Sequence, residues 1–537
     1  MPIILKSPRK PLWVGCLLPI LLIGGGELRG GQVHQGHLEP PPAVQDRPAV
    51  DSTTVEQIKG EGFERSEVMD LASWLTDVHG PRLTGSTILE DAGRWVLERL
   101  EEWGVDSPRH ERWGPFGPAW VNERTVVHVT DPVPFPVIAH PHPWSPGTDG
   151  PVKAEAIISP VEGDEGPWDF EALRGTLEGK VVLLAPEPRL ALPVEPLARR
   201  YTSADLDSIA EEEFRPPRAG GSEGGTSLAR GRSGRSTDEL LEFFHEEGVV
   251  AVLMATSRPP GGGVVHLRTE GARLLDDAPP TPPVLSVAAE HYGRIYRVLE
   301  RGIPVELEVD IRNRFGDRPE DGFNVLAELP GTELSHEVVT LGAHLDSWHM
   351  ATGAADNAAG SAAVLEAFRI LAAVGPRLRR TVRLALWTGE EQGLLGSRVH
   401  VLRRYGSQAD PTPDHDSLSL YLNLDNGAGA IRGVSLQGNA AGEPIFRDWF
   451  EWVDSDSISV RHTSLRYAGA TDHVSFHEAG LPGFQFIQDP LDYGTRAHHS
   501  SMDFYERLPE RDMKHNAVVL AVLTFLAANA ENRFPRH

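Results

Sequence analysis

The second half of this 537-residue sequence repeatedly closes an apolar run with a side chain that can hold a metal or move a proton. His344 follows the run 338–343, Glu390 and Glu391 follow 382–387, Asp425 follows 421–424, and His499 lies in the loop beyond 484–487. Asp356 stands just ahead of a helix-like stretch at 361–373. Three carboxylates and two histidines at strand ends would share one edge, and acidic groups crowded there repel one another unless a cation joins them. Cys16 is the single cysteine, which excludes an internal disulfide and a thiolate cage and leaves imidazole and carboxylate as ligands. Two Zn2+ bring four positive charges against three negative ones from Asp356, Glu391 and Asp425, and one hydroxide balances the remainder, so two ions fit better than one. A pair of ions ~3.5–4 Å apart lowers the pKa of a bridging water and stabilises charge on both sides of a displacement, which is hydrolytic chemistry. Within Glu390-Glu391, a metal-bound carboxylate is a poor base while its free neighbour can take the water's proton; Glu391 is expected to ligate and Glu390 to act as the base. His349, His473 and His498 lack that setting and are expected to be supporting or surface residues. No Gly-x-Ser-x-Gly elbow offers a serine alternative.

The elements that must bring these residues together follow from periodicity. From 324 onward strands at 338–343, 382–387, 421–424 and 484–487 alternate with helices at 361–373 and 513–529, which predicts a mixed α/β sheet covered by helices on both faces. Ligands of such sheets gather at the carboxyl ends of the strands. Two amphipathic helices are expected at 66–79 and 90–103, ahead of Gly80 and Gly104. The stretch 124–312 turns to short β-rich runs between Pro and Gly clusters and reads as a separate inserted domain. Inside it, 202–236, with Arg230, Arg232 and Arg235 and no apolar periodicity, is expected to be a mobile loop. Lys6, Arg9 and Lys10 ahead of an apolar run of about 12 residues read as a signal peptide over 1–26, since a bilayer span needs ~20. Residues 27–60 read as a tether, so the expected fate is export, secreted or periplasmic in a bacterium, with no stable membrane span. A formal net charge of −26 disfavours nucleic acid as a partner.

Taken together, His344, Asp356, Glu390-Glu391, Asp425 and His499 resemble the di-zinc exopeptidase family of bacterial leucyl aminopeptidases, glutamate carboxypeptidases and carboxypeptidase Q. The strings Gly342-Ala343-His344-Leu345-Asp346-Ser347-Trp348, Leu386-Trp387-Thr388-Gly389-Glu390-Glu391-Gln392-Gly393 and His79-Gly80-Pro81-Arg82-Leu83-Thr84-Gly85 are most similar to the carboxypeptidase Q branch. That resemblance, spanning about 64–530, implies a zinc peptidase domain over 61–123 and 313–537, interrupted by a protease-associated-type β-rich insert at 124–312. It implies two Zn2+ per chain, with Asp356 bridging, His344 and Asp425 on one ion, and Glu391 and His499 on the other. His499, rather than His498, matches the family's spacing to Asp503. Asp346, Asn357, Asp472, His473, His498 and Asp503 are the neighbours expected to support the ligands or touch substrate. The implied substrate is a dipeptide or short peptide, and homodimerisation is a family-level expectation. An aminopeptidase of the same family, a receptor-like binding module and a single-zinc glutaminyl cyclase are the alternatives.

Overall fold

The computed structural model describes residues 51–160, 170–215, 237–256, 262–267, 279–455 and 457–536. The expected signal peptide, Cys16 and the three arginines at 230–235 lie outside the described residues.

The sheet that carries the site is built on Leu334–His344, flanked in parallel by Arg380–Trp387 and Leu418–Asn423, with Gly483–Gln488 parallel to the latter. Arg380–Trp387, Leu418–Asn423 and Gly483–Gln488 are buried at every residue, as strands covered on both faces must be. Strand alternation divides their side chains. Leu384, Leu386, Leu420 and Leu422 pack into the larger core with helices Ala359–Val374 and Glu510–Asn529, while Ala385, Trp387 and Tyr421 face Val401, Tyr405 and Phe476 on the other side. The stretch Ala354–Val374 has the length and hydropathy of a membrane span, but it is a core helix, with 83% of its most apolar window buried.

Three sequence expectations need correction. The stretch read as a tether to residue 60 is already folded at Ser52–Glu64, a helix capped by the Asp51 carboxylate, which accepts from Thr54 N at 3.1 Å. Val55 and Ile58, one turn apart and fully buried, dock it on the core, and Arg369 Nη1 donates to Glu61 at 2.8 Å. Two buried apolar positions, with Phe63 left exposed, are too few to show in a periodicity count. The expected mobile loop contains a helix, Ser203–Ala210, with Thr202 and Asp205 forming a capping box; residues 216–236 lie outside the described part. The insert is not a separate sheet. Glu306–Leu329 pairs with Val152–Ile158 through its first residues and with Arg380–Trp387 through its last, so one fourteen-stranded sheet runs through both regions. Asp106–Asp131 lies antiparallel along nearly all of that strand, making a two-stranded ribbon that crosses the assumed boundary. The hydrophobic cores remain distinct: Val181, Leu253, Leu307 and Tyr292 pack on one face of the insert strands, and Val182, Val252 and Phe244 on the other.

Candidate active site

His344 ends its strand paired with Trp387, with Leu345 N donating to Trp387 O at 2.7 Å, so it projects from the carboxyl edge of the sheet. Its Nε2 lies 3.3 Å from Asp356 Oδ1 and 3.3 Å from Asp425 Oδ1, and 4.0 Å from Glu390 Oε2. The other Asp356 oxygen, Oδ2, lies 3.3 Å from His499 Nε2, which is itself 2.9 Å from Glu391 Oε2. All six residues therefore fall in one cluster, with Asp356 between two histidines, one oxygen toward each. Asp356, Glu391 and His499 of this cluster line a small cleft whose wall continues through Trp348, Met350 and Ala351.

The local chain geometry explains the placement of Asp356. It precedes helix Ala359–Val374, and Asp503 accepts from Ala355 N at 2.7 Å and from Asp356 N at 3.0 Å, fixing the turn. Asn357 is wholly used in scaffolding: its Nδ2 donates to Leu424 O at 3.0 Å and its Oδ1 accepts from Gly360 N at 2.8 Å. A side chain at Gly360 would put Cβ 2.2 Å from Leu424 O, so only glycine lets the helix start this close to the Asp425 loop.

The electrostatics are those of a charged cluster shut away from water. Burial pushes the Glu390 carboxyl well above its ordinary range; His344 opposes the shift, and Asp425 and Asp472 add to it. Glu391 is raised by burial and then by Asp356. Burial alone would lower His344, but Asp425 and Glu390 draw it well above the usual imidazole value. Asp356 goes the other way: burial raises it, and His344, His499 and His498 together outweigh that and hold it low. Asp356 Oδ2 and Glu391 Oε1 are buried without a hydrogen bond, although His499 Nε2 is near the former. Three sets of donor atoms each lie within 4.8 Å of one another: His344, Glu390 and Asp425; His344, Asp356 and Glu391; and Asp356, His498 and His499. Imidazole and carboxylate in this proportion suit Zn2+, and the residues present fit a bound metal.

The neighbours divide into distinct jobs. Asp346, fully buried, accepts from Thr84 Oγ1 at 2.8 Å and faces Glu390 N and Glu391 N at 3.4 Å each; its backbone carbonyl lies 3.0 Å from His344 Nδ1. His498 stacks on His499 with ring centroids 3.8 Å apart and reaches within 4.0 Å of Asp356, closer to the cluster than its spacing alone suggested. Burial, opposed by His344 and reinforced by Asp425, pushes Asp472 to about 8, and Asp503 is raised to about 7 by burial and Asp356. His473 belongs to the scaffold: burial lowers it to about 3, and its ring nitrogens meet Thr471 Oγ1 at 2.6 Å and Ala468 O at 2.8 Å. His349 likewise turns away, its Nε2 donating to Pro141 O at 2.9 Å.

Two residues carry weight that residue-type reasoning did not assign. Arg82 is buried beneath the 345–353 loop and hydrogen-bonds it from below. Tyr493 sits near the acids, its phenol raised by burial and by Asp356, Asp425 and Glu391, in space left by Gly427, where a Cβ would lie 2.9 Å from the ring. A lone tyrosine in a Gly-containing loop gives no periodic signal to find it by.

Residues 324–524 match the model for Peptidase family M28. Among curated relatives, carboxypeptidase Q of Homo sapiens is 24% identical over 464 residues, 86% of this chain and 85% of that protein. Several other carboxypeptidase Q sequences align over 52–60% of their own length, so the chain spans little more than half of those relatives. Of solved structures, a peptidase M28 precursor from Shewanella amazonensis SB2B superposes with a TM-score of 0.65 at 20% identity, covering 90% of this chain and 98% of that one. A zinc aminopeptidase from Bacillus subtilis gives a TM-score of 0.51 at 16% identity, over 85% of this chain and 93% of that one. Both likenesses are of fold: a mixed sheet flanked by helices.

Proposed function

We propose, from the match of residues 324–524 to peptidase family M28, that the chain is an exported zinc exopeptidase that cleaves dipeptides or short peptides in the manner its likeness to carboxypeptidase Q suggests. The observation that carries the reading is Asp356 with one oxygen 3.3 Å from His344 and the other 3.3 Å from His499. Two Zn2+ would be held by Asp356 between them, by His344 and Asp425 on one side, and by Glu391 and His499 on the other. Bound there, the metals would supply Lewis-acid polarisation of a peptide carbonyl and an acidified water. Glu390, buried and 4.0 Å from His344 Nε2, would take the water's proton and pass it to the leaving amine. Asp346 would orient His344 from behind, and Asp503 would hold the Asp356 backbone.

Glu390→Gln is expected to keep its zinc, by metal analysis, and to lose about 10²–10⁴-fold in kcat; loss of metal instead would make Glu390 a ligand with His344 and Asp425. Direction of attack is read by comparing a free dipeptide with amino-blocked and carboxyl-blocked forms. The expected result is that carboxyl blocking abolishes cleavage, whereas abolition by amino blocking alone would make the enzyme an aminopeptidase. Export is tested by locating activity in the medium or periplasm.

A further inference from the structure

The loop 489–503, which carries His498 and His499, is held by the inserted region from both sides. On one side the buried segment 264–267 runs antiparallel to it: Leu267 N donates to His499 O at 2.8 Å, Ser501 N to Val265 O at 2.8 Å, and Val265 N to Ser501 Oγ at 3.0 Å. On the other side Arg199 N donates to Leu491 O at 3.0 Å, Thr495 Oγ1 to Leu197 O at 2.8 Å, and Tyr201 N to Asp489 Oδ1 at 3.0 Å. Arg200 fastens that second grip, reaching Asp489 at 2.9 Å and Asp512 at 2.6 Å. The helix that follows, Ser203–Ala210, buries Leu206 and Ile209 against Ile487 of the peptidase sheet. Within the first grip His499 has φ +53°, a conformation that side chains other than glycine rarely adopt and keep only when their surroundings impose it.

We propose that the inserted region is a working part of the hydrolytic centre: its segments 197–201 and 264–267 clamp loop 489–503 and so position His499 toward Asp356 and Glu391. This rests on the peptidase reading for its catalytic consequence and on geometry alone for the clamp. Val265, Leu267, Thr495 and Ser501 are positioning residues, because they act through the backbone of the loop. A metal pair needs its ligands fixed to a fraction of an ångström, and hydrogen bonds one step removed from a ligand are worth 10–100-fold in metal affinity or activity.

The test is the full chain carrying Thr495→Val with Ser501→Ala, which removes one hydroxyl from each grip, alongside Leu267→Pro, which removes the amide donated to His499 O. Zinc is titrated without substrate, so failure of the peptidase reading and failure of the clamp separate. Expected are a 10–100-fold weaker binding of one zinc per chain, a kcat fall of similar size with KM little changed, and faster amide exchange over 489–503 in the metal-free protein. Thr495→Ser with Ser501→Thr, which restores both hydroxyls, should behave as the parent. If Leu267→Pro does not fold, the double variant decides. Unchanged exchange in the double variant overturns the clamp; raised exchange with unchanged zinc affinity and kcat overturns its role in placing His499.

Discussion

Arg82 shows how much of the candidate site is settled by one residue that touches none of the proposed ligands. It is fully buried, and its guanidinium donates to Leu345 O at 2.6 Å, Leu75 O at 2.6 Å, Thr352 O at 2.9 Å and Gly353 O at 2.9 Å. Burial lowers its pKa only to about 10, with Asp503 and Asp346 opposing, so it stays charged at neutral pH. The contacts to Leu345, Leu75 and Gly353 are buried and the one to Thr352 partly so, and a buried acceptor that loses its donor is costly. Arg82→Met is therefore expected to lower unfolding free energy by about 3–5 kcal/mol in a denaturant titration; a loss under about 1 kcal/mol would show that the loop satisfies itself. The residues that residue type and spacing could find were those at strand ends, such as His344 and Asp425. Arg82 and Tyr493 were not among them, because what matters in each is the partner, and their partners are distant in the chain.

Among the elements, the helix Glu510–Asn529 stabilises the sheet and carries a titratable group into it. His515 is 4% exposed, its Nε2 donates to Ile431 O at 3.1 Å, and burial lowers its pKa to about 4. The unfolded chain takes up this proton near pH 6.5, whereas the folded chain resists until about pH 4, so below 6.5 the unfolded state binds more protons. This contribution is constant above pH 6.5 and is lost as pH falls from 6.5 to about 4, with a slope of up to ~1.4 kcal/mol per pH unit. His515→Gln should flatten stability against pH in that window, measured by urea unfolding at stepped pH; an unchanged slope would assign the acid sensitivity to other groups. This helix, the one at Ala359–Val374 and the strands ending at His344 and Trp387 were legible as elements because continuous apolar runs must be buried on both faces. The helix at Ser52–Glu64 was not, since its burial rests on Val55 and Ile58 meeting the helices Ala359–Val374 and Glu510–Asn529, far along the chain.

Across the whole molecule, the shared ribbon makes the peptidase region and the insert hard to separate. Glu306–Leu329 bonds to the peptidase sheet at one end and the insert sheet at the other, with Asp106–Asp131 beside it throughout. Excising 124–312 would cut 124–131 and 306–312 from the paired ends of the two ribbon strands and remove both grips on loop 489–503, so the shortened chain is expected to be insoluble or to lack the cooperative unfolding of the parent. A soluble, zinc-binding, active remainder would show instead that the insert is dispensable. The sequence by itself determined the donor types and the elements that end in them, since an apolar run followed by His, Asp or Glu is a local pattern and local patterns survive without a partner. Only the tertiary structure decided that Asp356 stands between His344 and His499, that His498 joins them, and that the insert is continuous with the sheet and grips the His499 loop. The grips on that loop join segments more than 200 residues apart largely through backbone hydrogen bonds, which leave no mark on the identity of the residues that make them; the meeting of Asp356 with His344 and His499 depends on how the chain brings separate strand and loop ends together.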